Sequence, residues 1–170
     1  ALVRADATHR SFADVHYVQA DNLTDRLAAL GVLVSLGDAD ATLDRFAQRH
    51  AHDALVLDKW FSLQATRAHP QALDRAIELT SHPAFRWNNP NNVYALVGAF
   101  AMRNQRAFHR ADGEGYRFVA DAIARVDALT PQVSARLATA FGAWRRYEPA
   151  RRALMQRELE RLRARTLSPD

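Results

Sequence analysis

The residues of this chain best suited to hold a metal or relay a proton are its seven histidines, His9, His16, His50, His52, His69, His82 and His109. A zinc site on one helix takes two of them four residues apart, as in H-E-x-x-H, and no pair has that spacing. His9 and His16, seven apart, share a helix face, where two packed or solvated imidazoles satisfy the pattern as well as two ligands would. His50 and His52 point to nearly opposite sides of a helix. Gly113 and Gly115 flank Glu114 in a run that hints at a phosphate loop, but such loops need more glycine and Glu114 repels an anion; a capping turn fits better. Eight arginines between Arg145 and Arg165 raise the question of nucleic acid. They alternate with Glu148, Glu158 and Glu160, with no lysine among them and no aromatic platform after Tyr147, which describes a solvated helix face laced with ion pairs. Asp58-Lys59-Trp60-Phe61 sets a charge pair beside two large aromatics, the pattern of a helix anchored in a core under a snorkelling lysine. Cysteine is absent, which removes thiolate metal sites and disulfides and fits a reducing compartment. The chain shows no catalytic residue set and no metal site of its own.

The elements that carry these residues are helices. Hydrophobic residues make up 48% and charged residues 25% of the 170, the balance of a globular chain rather than a disordered one. Six glycines and six prolines are too few for a loop-rich β fold. No run reaches the ~20 apolar residues of a membrane span. Pro70, Pro90, Pro131 and Pro149 each follow a polar residue and precede an apolar-periodic run, as proline does at the first helical position. Asn89 and Thr130 suit two of these starts as caps, and Asp21 or Asn22, Asp38 and Asp53 open three more. Leu23, Leu27, Leu30 and Val34, then Val93, Leu96, Val97 and Phe100, then Val133, Leu137, Phe141 and Trp144, step at helical intervals. The spacing predicts helices over 8–19, 22–36, 39–51, 53–67, 70–81, 90–103, 114–129, 131–146 and 149–165. Short connections predict antiparallel neighbours, and wide apolar faces predict the inner layers of a stack. The expectation is one all-α domain over 1–170, with antiparallel helix pairs stacked as a HEAT/armadillo-like α-superhelix of degenerate repeat. Ala1 in place of methionine, with no cap or turn over Leu2–Ala7, reads as the edge of a longer polypeptide.

Three long segments carry a resemblance. They are LVLDKWFSLQA (Leu55–Ala65), NPNNVYALVGAFAMRNQRAFHRADGEGY (Asn89–Tyr116) and TPQVSARLATAFGAWRRYEPARRALMQRELERL (Thr130–Leu162), with DNLTDRLAAL (Asp21–Leu30) upstream. In order and spacing they resemble the C-terminal domain of bacterial aminopeptidase N, a zinc-dependent alanyl aminopeptidase of the gluzincin class, over roughly Asp21 to Leu162. The resemblance implies an α-superhelix that closes over the active site and walls an internal chamber, in an enzyme that removes N-terminal residues from peptides and is typically cytoplasmic. It places the zinc, its H-E-x-x-H and its glutamate in an upstream thermolysin-like domain, so the partners expected are that domain and peptide substrates, with neither nucleic acid nor membrane. This chain alone is then inactive, and it lacks the first helices of the domain.

The resemblance also singles out residues. Gln132 and Arg136 match the Gln and Arg of the family's NPQVxxR stretch, where both face the chamber near bound peptide. Asn89, Asn91 and Tyr94, at the start of another helix, join them as chamber candidates. Gln132 and Arg136 lie four apart on one helix face, one turn from an N-terminus whose free N–H groups suit an anion; an Arg136 that only pairs with a carboxylate is the competing reading. Where relatives commonly carry arginines just after NPN, this chain has Asn92 and Tyr94, which predicts a less basic chamber and puts a peptide-binding role for that helix in question. A different class of function, a stand-alone helical-repeat scaffold for protein partners, is the alternative.

Overall fold

Most helices begin where the chain offers a proline or a short polar cap. The computed structural model describes residues 7–37 and 39–165. Its helices are α1 (Ala7–Gln19), α2 (Leu23–Leu36), α3 (Asp40–Arg49), α4 (Ala54–Thr66), α5 (Ala72–Leu79), α6 (Pro90–Val93), α7 (Ala99–Arg103), α8 (Gln105–Phe108), α9 (Glu114–Asp127), α10 (Pro131–Ala138) and α11 (Pro149–Arg163). Between α6 and α7 the chain keeps winding as a π turn, Tyr94–Gly98, so 90–103 is one continuous rod with a widened middle. Among the described residues there is no strand. Asn22 caps α2 by accepting from the Asp25 N–H, Asp53 caps α4 by accepting from those of Leu55 and Val56, and Asn89 caps α6 by accepting from that of Asn91. Thr130 makes no such bond; Pro131 starts α10 without it. Asp38, the expected cap of α3, lies outside the described residues, and Ala39 precedes that helix with no side-chain bond.

The helices stack as ARM-type repeats. Arg10 Nη1 donates to the Gly37 carbonyl at 2.7 Å, tying the start of α1 to the end of α2 and fixing them as an antiparallel pair. Trp60 Nε1 donates to the Leu43 carbonyl at 2.9 Å, which docks α3 on α4. The rod 90–103 lies beside α4 in the same direction, because the contacts Asp58–Asn92, Ser62–Ala95 and Ala65–Asn104 climb both helices together. The pair α1 and α2 is thus antiparallel, while α4 and the rod, separated by the short helix α5, are parallel. A stack of helical repeats requires both relations. Trp60, Phe61, Phe46, Phe100, Phe108, Tyr116 and Phe141 fill the core that runs through it.

Two elements differ from expectation. The helix expected over 131–146 stops at Ala138 and continues as two 3₁₀ turns, Thr139–Phe141 and Trp144–Arg146. Thr139 Oγ1 donates back to the Arg136 carbonyl at 2.7 Å, and Gly142, a poor helix former, closes onto the Thr139 carbonyl three residues back. Phe141 is nonetheless sealed in the core, so tighter winding keeps the apolar stripe inward. The one-turn helix α8 was not expected. Asn104 holds it by accepting from the Ala107 N–H while donating to the carbonyls of Ala65 and Arg67. The Asp112–Gly115 run is the capping turn the sequence suggests. Gly113 takes φ +79°, which glycine adopts freely, and a Cβ on Gly115 would stand 2.5 Å from the carbonyls of Ala107 and Phe108. That second glycine lets α9 start directly against α8.

Candidate functional site

The exposed face shared by α10, the π turn and α4 gathers most of the residues singled out by resemblance. Arg136 and Gln132 are exposed on α10. The Arg136 guanidinium lies over the half-buried Tyr94 ring, 5.1 Å from its centroid, a cation–π placement that costs the arginine little hydration. Tyr94 and the exposed Asn91 line a shallow depression of about 460 Å³ together with Leu55, Asp58, Lys59, Ser62 and Ala95. Asn89 is the α6 cap, its side chain committed to the Asn91 N–H at 3.0 Å. Gln132 stands one turn before Arg136, at the α10 N-terminus, and its side chain makes no hydrogen bond among the described residues. Arg136 and Tyr94 are therefore in contact, and Tyr94 shares the depression with Asn91.

Neither Arg136 nor Lys59 is ion-paired among the described residues, where the arginine–carboxylate pairs involve other side chains. Asn92 is buried, 3% exposed, accepting from the Arg86 N–H at 2.8 Å and donating to Asp58 at 2.6 Å. Its identity answers to the packing of the 86–92 segment on α4. The cations on the open face are Arg136 and Lys59. Sequence reasoning missed Lys59, Ser62 and Asp58 as neighbours of the site, although Leu55, Asp58, Lys59 and Ser62 sit at helical spacing on the side of α4 away from Val56 and Trp60. It treated Asp58 and Lys59 as a pair, whereas Asp58 is engaged by Asn92.

The histidines serve packing. His82 lies against Trp60 and Phe61 and accepts from the Ala84 N–H. His50 packs on Phe46. His109 meets Tyr116, Tyr147 and Gln105. Burial first, then nearby arginine charge, holds all three below the ordinary imidazole range. No group of three His, Cys, Asp or Glu side chains converges to hold a metal among the described residues, so these residues do not fit a zinc site. Nor is any described helix long and apolar enough to cross a membrane. Two of the terminal arginines are structural. Arg151 binds Glu148 and the His109 carbonyl, and Arg161 joins Asp121 of α9 to Glu158.

Comparison with known proteins agrees with the fold. Residues 1–170 match a family described as a domain of unknown function, DUF3458_C, with ARM repeats. The chain is 46% identical over 149 residues to an aminopeptidase N of Haemophilus influenzae and 43% identical over 149 residues to one of Caulobacter vibrioides, covering 86% of this chain and 17% of each relative. Identity to an aminopeptidase N of Escherichia coli is 37% over 147 residues, 85% of this chain and 17% of that protein. Among solved structures, Legionella pneumophila aminopeptidase A in complex with aspartic acid superposes with a TM-score of 0.86 at 33% identity, covering 91% of this chain and 19% of that one. The chain spans less than a fifth of the length of these relatives.

Proposed function

The chain belongs to the DUF3458_C family, the C-terminal ARM-repeat domain of aminopeptidase N-like proteins, and from that premise we propose that it walls the active-site chamber of a zinc aminopeptidase and holds the far end of the peptide. The observation that carries this reading is Arg136: exposed, without a carboxylate partner among the described residues, and seated on Tyr94 from the last turn of α10, one turn after Gln132. In this proposal the zinc and the hydrolytic step belong to the upstream part of the polypeptide, which supplies bond cleavage at the peptide N-terminus. The residues of this chain bind and orient. The Arg136 guanidinium takes the free α-carboxylate of a short peptide, the α10 N–H groups add positive partial charge, and Gln132 and Asn91 offer amide groups to the peptide backbone. The proposal places the whole protein in the cytoplasm, with support from the lack of cysteine here.

Peptides of a few residues end in that carboxylate, whereas chromogenic aminoacyl amides have none. A charge-assisted hydrogen bond contributes about 1.5–3 kcal/mol when well formed. Screening in a water-filled chamber reduces it to about 1 kcal/mol, or roughly fivefold in kcat/KM. In the intact enzyme, Arg136→Ala is expected to weaken tri- and tetrapeptide hydrolysis by that factor and leave chromogenic amides nearly unchanged, with Gln132→Ala acting in the same direction but less. Equal losses on both substrate classes, or none on either, would make Arg136 a structural arginine.

A further inference from the structure

The π turn beneath Arg136 has a dedicated support on the neighbouring helix. In an uninterrupted α-helix the Ala99 N–H would bond the Ala95 carbonyl, four residues back. Here it is directed to the carbonyls of Tyr94 and Leu96 instead, so Ala95 loses its ordinary helical donor. A half-buried carbonyl left without a partner is costly, and π turns persist where something offsets that cost. Ser62 of α4 supplies the replacement: its Oγ donates to the Ala95 carbonyl at 2.9 Å, across 33 residues of sequence.

The extra residue matters for where Tyr94 points. Removing one residue's worth of winding would turn the helix before the bulge by about 100° relative to the helix after it. The segment after it is fixed by Ala99, Phe100 and Ala101, all buried, and by Asn104 on α4. The segment before it is fixed by Val93 in the core and by Asn92 on Asp58. With a bulge between them both ends keep their anchors, and Tyr94, at the bulge itself, lies half-buried under the Arg136 guanidinium.

We infer that Ser62 is a positioning residue for the peptide-carboxylate site: it holds the π turn open, the turn sets the Tyr94 ring, and the ring sets Arg136. The inference rests on the chamber reading for its role in the enzyme, but its physical content is testable apart from it. In this chain, with its guanidinium 5.1 Å from the Tyr94 centroid, Arg136 is expected to show an Nε–Hε resonance shifted by the ring current. Ser62→Ala is expected to move it toward the value of a free arginine while the fold, followed by circular dichroism, persists; Ser62→Thr, which keeps a hydroxyl on the same carbon, retains the native shift. In the intact enzyme, Ser62→Ala is expected to raise KM for tripeptides about threefold, with kcat and chromogenic-amide hydrolysis unchanged and Ser62→Thr restoring the native value. Should Ser62→Ala fail to fold, Ser62→Cys, close to serine in volume and a weaker donor, takes its place in both measurements. An unmoved Arg136 resonance in the donor-weakened variant, or an equal shift in Ser62→Thr, overturns the positioning role. If Arg136→Ala leaves tripeptide hydrolysis intact, the carboxylate reading fails, and the resonance still decides whether Ser62 sets the arginine.

Discussion

His109 shows how a polar cluster can be built for the fold alone. The neighbouring Tyr116 hydroxyl is 2.7 Å from Nδ1, and burial pushes that phenol up to about 12, so it keeps its proton. Tyr116 therefore donates to Nδ1 of a neutral imidazole, and Nε2–H faces Gln105 and Tyr147 at 3.0 and 2.9 Å. Burial, and then Arg151, depress the imidazole below its ordinary value of 6.5, against a smaller opposing effect of Glu148. His50 and His82 are depressed in the same direction, each chiefly by burial. The folded state thus binds fewer protons than the unfolded state just below pH 6.5, so stability falls as pH drops from there, and levels off once pH passes the folded values. Asp40 has the opposite environment: the Arg67 hydrogen bond at 2.5 Å holds its carboxyl below the usual range, and that contribution is lost only in more acid solution. Urea unfolding is expected to give a lower midpoint at pH 5 than at pH 7.5. His109→Gln is expected to shrink that difference, and a midpoint independent of pH over the interval would contradict the burial argument.

At the scale of elements, two glycines make opposite predictions. Gly115 starts α9 with its Cα against the α8 carbonyls at a distance no real Cβ tolerates, so Gly115→Ala forces the two helices apart. Its cost is expected to exceed about 2 kcal/mol in chemical denaturation, the range of core overpacking. Gly98, at φ −61° and ψ −46°, offers a Cβ ordinary contacts of 3.6 to 3.8 Å with Tyr94 and Leu137. Gly98→Ala is expected to be neutral, or to stabilise by up to about 1 kcal/mol through helix propensity. The sequence-based helices lie close to the observed ones wherever a proline or cap opens them and an apolar stripe runs through them, as at Asn89–Pro90. The π turn was illegible because Val93, Leu96, Val97 and Phe100 keep the same intervals with or without it, and its support, the Ser62–Ala95 contact, joins residues far apart in sequence. The break after Ala138 was hidden for a similar reason: Leu137, Phe141 and Trp144 keep an apolar stripe that 3₁₀ winding also satisfies. Of the candidate site, Arg136 and Gln132 were legible by resemblance, whereas Lys59 and Ser62 come from a helix whose apolar face commanded attention.

For the whole molecule, α1 carries an exposed apolar stripe. Phe12, Val15 and Val18 are 66%, 47% and 76% exposed on the outer face of α1, a stripe of the kind an inner repeat buries against its neighbour. Tyr17, half-buried, packs against the core beside that stripe. This chain on its own is expected to self-associate through that stripe, with a concentration-dependent mass in sedimentation equilibrium that Phe12→Arg with Val18→Arg abolishes. A strictly monomeric wild type would argue that the stripe is simply solvated. The face that carries Lys59 offers a different use. Lys59 is the chain's sole lysine and is exposed on the rim of the depression beside Tyr94. An amine-selective dye therefore has a single side-chain target, so acylation installs a spectroscopic reporter at the very surface where peptide carboxylates are proposed to dock, without any substitution in the protein.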